Sequence, residues 1–276
     1  MDFSSCTNAQ IFFYGDSGEY GTQNSFTGGI STTATANLIS LVRDGSGEDI
    51  LRDAPERSTL TIKCQIRNAL YEGATGDFTV TTTSSGGVDL NVVTGSGETI
   101  TPAGFNNQAP IITPLSLIAG DATDLKLEFV ISNPIPADGK IFLEVPDTFT
   151  NAAGVSIASS INIDGTFDVT TTTSTAAVYD NTMKTSGGSW LIEIARKNDG
   201  AAVAKDVTVT LVVSQVTNMQ FEGASGEFIM IKTTLADGVT AIDESSAEAD
   251  SIGLNGPSVT IVPSGWSGVA PTVVPL

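Results

Sequence analysis

Hydrophobic and polar residues in this chain alternate with a period of two, and no stretch carries the three-to-four spacing of a convincing amphipathic helix. From Thr59 to Ile66, Leu60, Ile62, Cys64 and Ile66 share one face while Thr61, Lys63 and Gln65 take the other, the pattern of a half-buried strand. Asp124 to Ile131 repeats it, with Leu125, Leu127, Phe129 and Ile131 inward and Lys126 and Glu128 outward. Asn133 to Gly139 carries two prolines and an Asp-Gly pair, so it reads as a loop. Lys140–Val145 is then the returning strand. Further strands are expected at 37–42, 78–83, 88–93, 98–101, 156–163, 167–172, 190–195, 206–213, 228–233 and 257–262, around an early apolar run at Ile11–Tyr14. Ile242–Ala249 is the only stretch that could hold a helical turn or two. Short strands with turn signals between them and no intervening helices predict antiparallel sheets packed as a sandwich.

The pattern also repeats. Glu72-Gly73-Ala74-Thr75-Gly76-Asp77-Phe78 returns as Glu222-Gly223-Ala224-Ser225-Gly226-Glu227-Phe228, 150 residues later, each copy preceded by an aromatic, Tyr71 or Phe221. A period of that size is a domain rather than a supersecondary unit. Ile100 to Phe105 matches Ile261 to Trp266 at an offset of 161 residues, and Ala109-Pro110 matches Ala270-Pro271 at the same offset. The changing offset places insertions in turns, which sandwiches tolerate. The reading is all-β: tandem antiparallel sandwich units of immunoglobulin-like type, one over 1–104, a second over 105–265, and 266–276 as the start of a following unit or a linker strand.

In this alignment residue 1 falls near position 156 of the second unit, so the first lacks its N-terminal strands, the counterpart of 116–155. Either the chain is a segment of a longer array, which the repeat favours, or strands of a neighbouring chain complete the first unit, as in donor-strand complementation. Left alone, that unit would expose apolar sheet and an unpaired edge.

Composition narrows the chemistry. Across 276 residues there are 12 Lys and Arg against 31 Asp and Glu, a net charge of −19. Such a charge disfavours nucleic acid and anionic membranes as partners. No histidine is present, which removes the commonest general base and metal ligand. Gly15-Asp16-Ser17-Gly18-Glu19 matches a serine-protease nucleophile sequence, but no histidine exists to take the proton. It reads as a polar turn. No enzymatic activity is expected. No run reaches the roughly 20 apolar residues of a membrane helix, and the start, Met1 to Ser5, has no signal-peptide pattern.

The remaining candidates are few. Asp44, Glu48 and Asp49 stand among glycines and could offer calcium hard oxygen ligands, as could the repeated pairs Glu72/Asp77 and Glu222/Glu227. The bland reading is solvated turns whose glycines supply positive φ. Otherwise no cofactor is expected. Cys6 and Cys64 form either one disulfide, which implies an oxidising compartment, or two buried thiols. Phe105 and Trp266 match at the unit junction and are candidates, with Tyr71 and Phe221, for contacts between units or copies. Trp190 fits a core better than a carbohydrate platform. Threonine runs at 81–83 and 170–173 suit exposed strands or O-linked sugars.

The segment Phe129 to Pro146, with its Asn133-Pro134-Ile135-Pro136 loop and Gly139-Lys140-Ile141 strand ending in Pro146, resembles repeats in very large surface proteins of algae and other protists. The resemblance implies an extracellular, tandem-domain, non-enzymatic polypeptide and carries over no catalytic residue. Together these readings point to a structural subunit of an extracellular filament, appendage or cell coat, with copies of itself as partners. The alternative is an adhesin-type module that binds glycan or protein. A native intact mass well above that of 276 residues is the expected result for the array, and a mass matching 276 residues would contradict it.

Overall fold

Strand alternation is sharpest in Ala122–Val130, where Thr123, Leu125, Leu127 and Phe129 are buried while Lys126 and Glu128 pair at 2.9 Å on the outer face. A computed structural model of the chain describes residues 2, 4, 6, 10–14, 20–21, 30–35, 37–45, 59–63, 65–105, 109–146, 148–174, 189–225, 228, 230–245 and 260–263. It divides into two compact units: Met1–Ala69 with Ala74–Ile100, and Leu70–Gly73 with Thr101–Leu276.

In chain order the strands are β1 (Gln10–Tyr14), β2 (Tyr20–Gly21), β3 (Ile30–Ala34), β4 (Ile39–Arg43), β5 (Thr59–Lys63), β6 (Gly73–Ala74), β7 (Phe78–Thr83), β8 (Asp89–Gly95) and β9 (Thr99–Ile100). They continue as β10 (Ile111–Pro114), β11 (Ala122–Val130), β12 (Lys140–Pro146), β13 (Thr150–Ile161), β14 (Phe167–Ser174), β15 (Ser189–Arg196), β16 (Thr208–Thr217), β17 (Gly223–Ala224), β18 (Met230–Thr234), β19 (Ala241–Glu244) and β20 (Thr260–Ile261).

The second unit is a two-sheet antiparallel sandwich. One sheet has the order β10-β11-β16-β13, the other β14-β15-β12-β18-β19. Their facing sides supply one core: Leu125, Leu127 and Phe129 from β11; Val209, Leu211 and Val213 from β16; Ile141, Leu143 and Val145 from β12; Ile192 and Ile194 from β15. Phe105 closes one part of it, edge-on to Phe129 at 5.5 Å between ring centres. Trp190 is buried in the same core, its indole N–H donating to the Phe149 carbonyl at 2.9 Å, so the ring cannot serve as a carbohydrate platform. β12 is central and buried on both faces, hence its nearly unbroken apolar sequence. It pairs with β15 and β18 rather than with β11. The 133–139 loop therefore carries the chain from one sheet to the other, a crossing that hydrophobic spacing does not encode.

Several elements differ from the sequence expectation: Ile30–Ala34 pairs with β4 where no strand is expected, and β13 begins at Thr150 rather than at residue 156. Ala241–Glu244 is a strand rather than a helical turn, because the Asp237-Gly238 turn returns it against β18. Ile111–Pro114 pairs with β11 despite its flanking prolines, which an edge strand tolerates at its ends.

In the first unit β2, β1 and β5 form one sheet, and β3-β4 and β7-β8 form two-stranded ribbons. Every residue of β8 is exposed, Leu90 and Val93 above 60%.

This contrast predicts the mutational response. Leu143→Ala opens a cavity in the sandwich core and should cost about 2–5 kcal/mol, whereas Leu90→Ala should stay within about 0.5 kcal/mol. Urea unfolding followed by circular dichroism checks both.

Candidate functional site

Among the described residues no group of three or more Asp, Glu, Cys or His side chains is placed to hold a metal ion. Asp44, Asp77 and Glu222 are exposed, and Glu48, Asp49 and Glu227 lie outside the described residues. Cys6 is buried and disulfide-bonded; the other cysteine of the chain, Cys64, lies outside the described residues, as does Trp266. Tyr71 and Phe221 are 45% and 68% exposed.

Glu72 has a specific structural partner. Its N–H donates to the Ala241 carbonyl at 2.8 Å, and its Oε1 accepts the Ala241 N–H at 2.7 Å. One residue thus satisfies both backbone groups of Ala241 on the outer edge of β19. The same edge is continued by Ala103, whose N–H donates to the Ile242 carbonyl at 3.2 Å and whose carbonyl accepts the Glu244 N–H at 2.8 Å. These contacts lie within the second unit, to which Leu70–Gly73 and Thr101 onward belong. They bury the edge of β19 as a neighbouring strand would.

Asp243 anchors the opposite side of this arrangement. Its Oδ2 accepts the N–H groups of Ser132 and Asn133, each at 3.1 Å, and its Oδ1 accepts the Asn133 side-chain amide at 3.1 Å. Ser132 Oγ donates to the Gly104 carbonyl. The Asn-Pro loop is therefore fixed by a fully buried carboxylate, and nothing in the spacing around Asp243 announces that role. Burial raises its pKa to about 6, against the lowering effect of the Asn133 and Ser132 hydrogen bonds.

The two hairpins that follow the repeated motif are built alike. In β7-β8 the Ser84 N–H donates to the Val88 carbonyl and the Gly87 N–H to the Ser84 carbonyl. In β18-β19 the Leu235 N–H donates to the Thr240 carbonyl and the Gly238 N–H to the Leu235 carbonyl. Gly87 and Gly238 hold φ of 80° and 72°, the left-handed region the turn requires. Both ladders slip at the same place, between Thr82 and Thr83 and between Thr233 and Thr234. The slip leaves Leu90 and Ile242 as equivalent residues. Ile242 is 1% exposed and Leu90 63%. Upstream, Gly73 and Gly223 hold φ of 142° and 152°, and their short strands β6 and β17 pair with β9 and β20, which the offset of 161 residues also equates.

At one end of the sandwich, buried Arg196 binds three loops. Nη1 donates to the carbonyls of Pro136 at 2.6 Å and Ile135 at 3.3 Å, and Nη2 to those of Asp164 and Ala201 and to Asp164 Oδ1. Asp164 Oδ1 also accepts the Ala201 N–H at 2.9 Å, and Asp199 reciprocates across the same two loops by accepting the Thr166 N–H and hydroxyl. Beside them lies an open depression of about 560 Å³ lined by Ser160, Asn162, Ile163, Asp164, Val207 and residues 201–204, none of them aromatic.

No protein-family profile matches the chain, and a search of curated proteins returns no match. Among solved structures, the chain is similar to the CBM3b of the major scaffoldin subunit ScaA from Acetivibrio cellulolyticus, at 18% identity and a TM-score of 0.32, over 51% of this chain and 97% of that one. It is also similar to a non-cellulosomal cohesin from the archaeon Archaeoglobus fulgidus, at 11% identity and a TM-score of 0.28, over 49% of this chain and 85% of that one.

Two outcomes test the site. A carboxyl group whose pKa is higher folded than unfolded stabilises the fold in acid, and that contribution is lost as pH rises from about 4 through about 6. The stability of wild type relative to Asp243→Asn should therefore fall between pH 4 and pH 7, by about 2–3 kcal/mol; a flat difference in urea midpoints would contradict it. Arg196→Met strands several buried carbonyls and should cost at least about 3 kcal/mol, read from the same unfolding curves.

Proposed function

We propose that this chain is a non-enzymatic structural module of an extracellular filament, appendage or coat, built by tandem β-sandwich repeats. The observation that carries the reading is the hairpin made twice. Glycine φ and ladder slip coincide in both copies, with the second loop one residue longer, yet one copy is buried in a complete sandwich and the other stands exposed. A module used in series needs repeated end surfaces of this kind, because each unit gains stability from the contact with its neighbour. The disulfide at Cys6 agrees with an oxidising compartment. The resemblance of Phe129 to Pro146 to surface-protein repeats points the same way. Among the described residues, neither Trp190, which is core, nor the open depression, whose lining has no ring, supports the glycan-binding alternative.

Electron microscopy of native material is the test. Fibres or layers with a repeat of domain size are expected, and dispersed single particles under all conditions would overturn the reading.

A further inference from the structure

We propose that the Phe221-Glu222 end of one copy docks on the outer edge of β8 in a second copy, reproducing between chains the clasp that Glu72 makes on β19 within the chain. The proposal rests on the tandem reading above and names the joint that would build the array. The template is explicit: Glu72 satisfies both backbone groups of Ala241, and Ala103 extends the pairing to Ile242 and Glu244. Through the ladder register and the slip common to both hairpins, Ala241, Ile242 and Glu244 correspond to Asp89, Leu90 and Val92. Among the described residues nothing outside the hairpin hydrogen-bonds to these three, and Leu90 and Val92 are 63% and 59% exposed.

The donor side is equally open. Glu222 occupies the motif position of Glu72 but takes no hydrogen bond among the described residues, and Phe221, in the place of Tyr71, is 68% exposed. One chain therefore carries an open clasp at one repeat and an open hairpin edge at the other. Joining unlike surfaces gives a head-to-tail contact, which propagates into a filament when the rotation does not close. One substitution sets a condition. Asp89 stands where the second unit has Ala241, so docking brings its carboxylate toward Glu222. Association should accordingly strengthen with added salt, which screens like charges.

The test uses two variants of the full chain, each altered only at exposed residues: Leu90→Lys with Val92→Lys, and Phe221→Ala with Glu222→Ala. Sedimentation velocity should show wild type assembling in a concentration-dependent way and each variant alone weakened at least about tenfold. An equimolar mixture of the two retains one intact pair of surfaces and should give a dimer and nothing larger. Wild-type polymers that persist unchanged in both variants would overturn the docking while leaving the filament reading standing. A wild type that stays monomeric at every concentration and salt level would overturn both.

Discussion

A strand edge inside a folded protein must be hydrogen-bonded or covered, and the strands of this molecule are arranged around that requirement. In the second unit β12 covers one side of the β18-β19 hairpin, while Glu72 and Ala103 cover the other. With both edges occupied, Ile242 and Asp243 are sealed, and Asp243 can hold the Asn133 loop from inside. That loop carries the chain from one sheet to the other, so the edge contact and the connectivity of the sandwich depend on each other. The first unit shows the same hairpin, without the cover among the described residues. Its β8 leaves Leu90, Val92 and Val93 in solvent.

The covering residues come from an unexpected place in the chain. Glu72 stands inside the first sequence repeat, ahead of β7, and Ala103 at its end, yet both belong to the second compact unit. The proposed tandem reading takes this contact as the way one repeat contributes to the sheet that follows it. A polypeptide organised this way can be extended without inventing a new interface, since the closing residues of one repeat fit the hairpin of the next. A charge of −19 opposes close contact between copies and would tie such contacts to ionic strength.

Much of this architecture is legible in the residues. The alternation of Leu125, Leu127 and Phe129 marks β11 and the apolar run of Lys140–Val145 marks β12, whereas the repeated Glu-Gly-Ala motif reads as a turn and its Gly-Ala pairs form the short strands β6 and β17. What escapes the sequence is long-range. β19 is too short for its period to be read, and it becomes a strand only because β18 offers an edge. Asp243 looks like any acidic residue until the fold brings Asn133 against it, 110 positions away. Arg196 likewise looks like a surface base at a strand end, but the loops at 135–136, 164 and 201 enclose it. Glu72 shows the opposite case. Sequence marks it as an acidic residue kept in both copies, and only the structure gives its carboxylate to a backbone N–H rather than to a cation.

One hairpin exists twice, covered in one repeat and open in the other. Amide hydrogen exchange of the full chain measures this directly, because exchange follows local coverage and opening. In dilute solution exchange should be slow at Ala241 and Glu244 and fast at Asp89 and Val92, with the β8 amides becoming protected as concentration rises. Equal protection of β8 and β19 in the dilute monomer would contradict it.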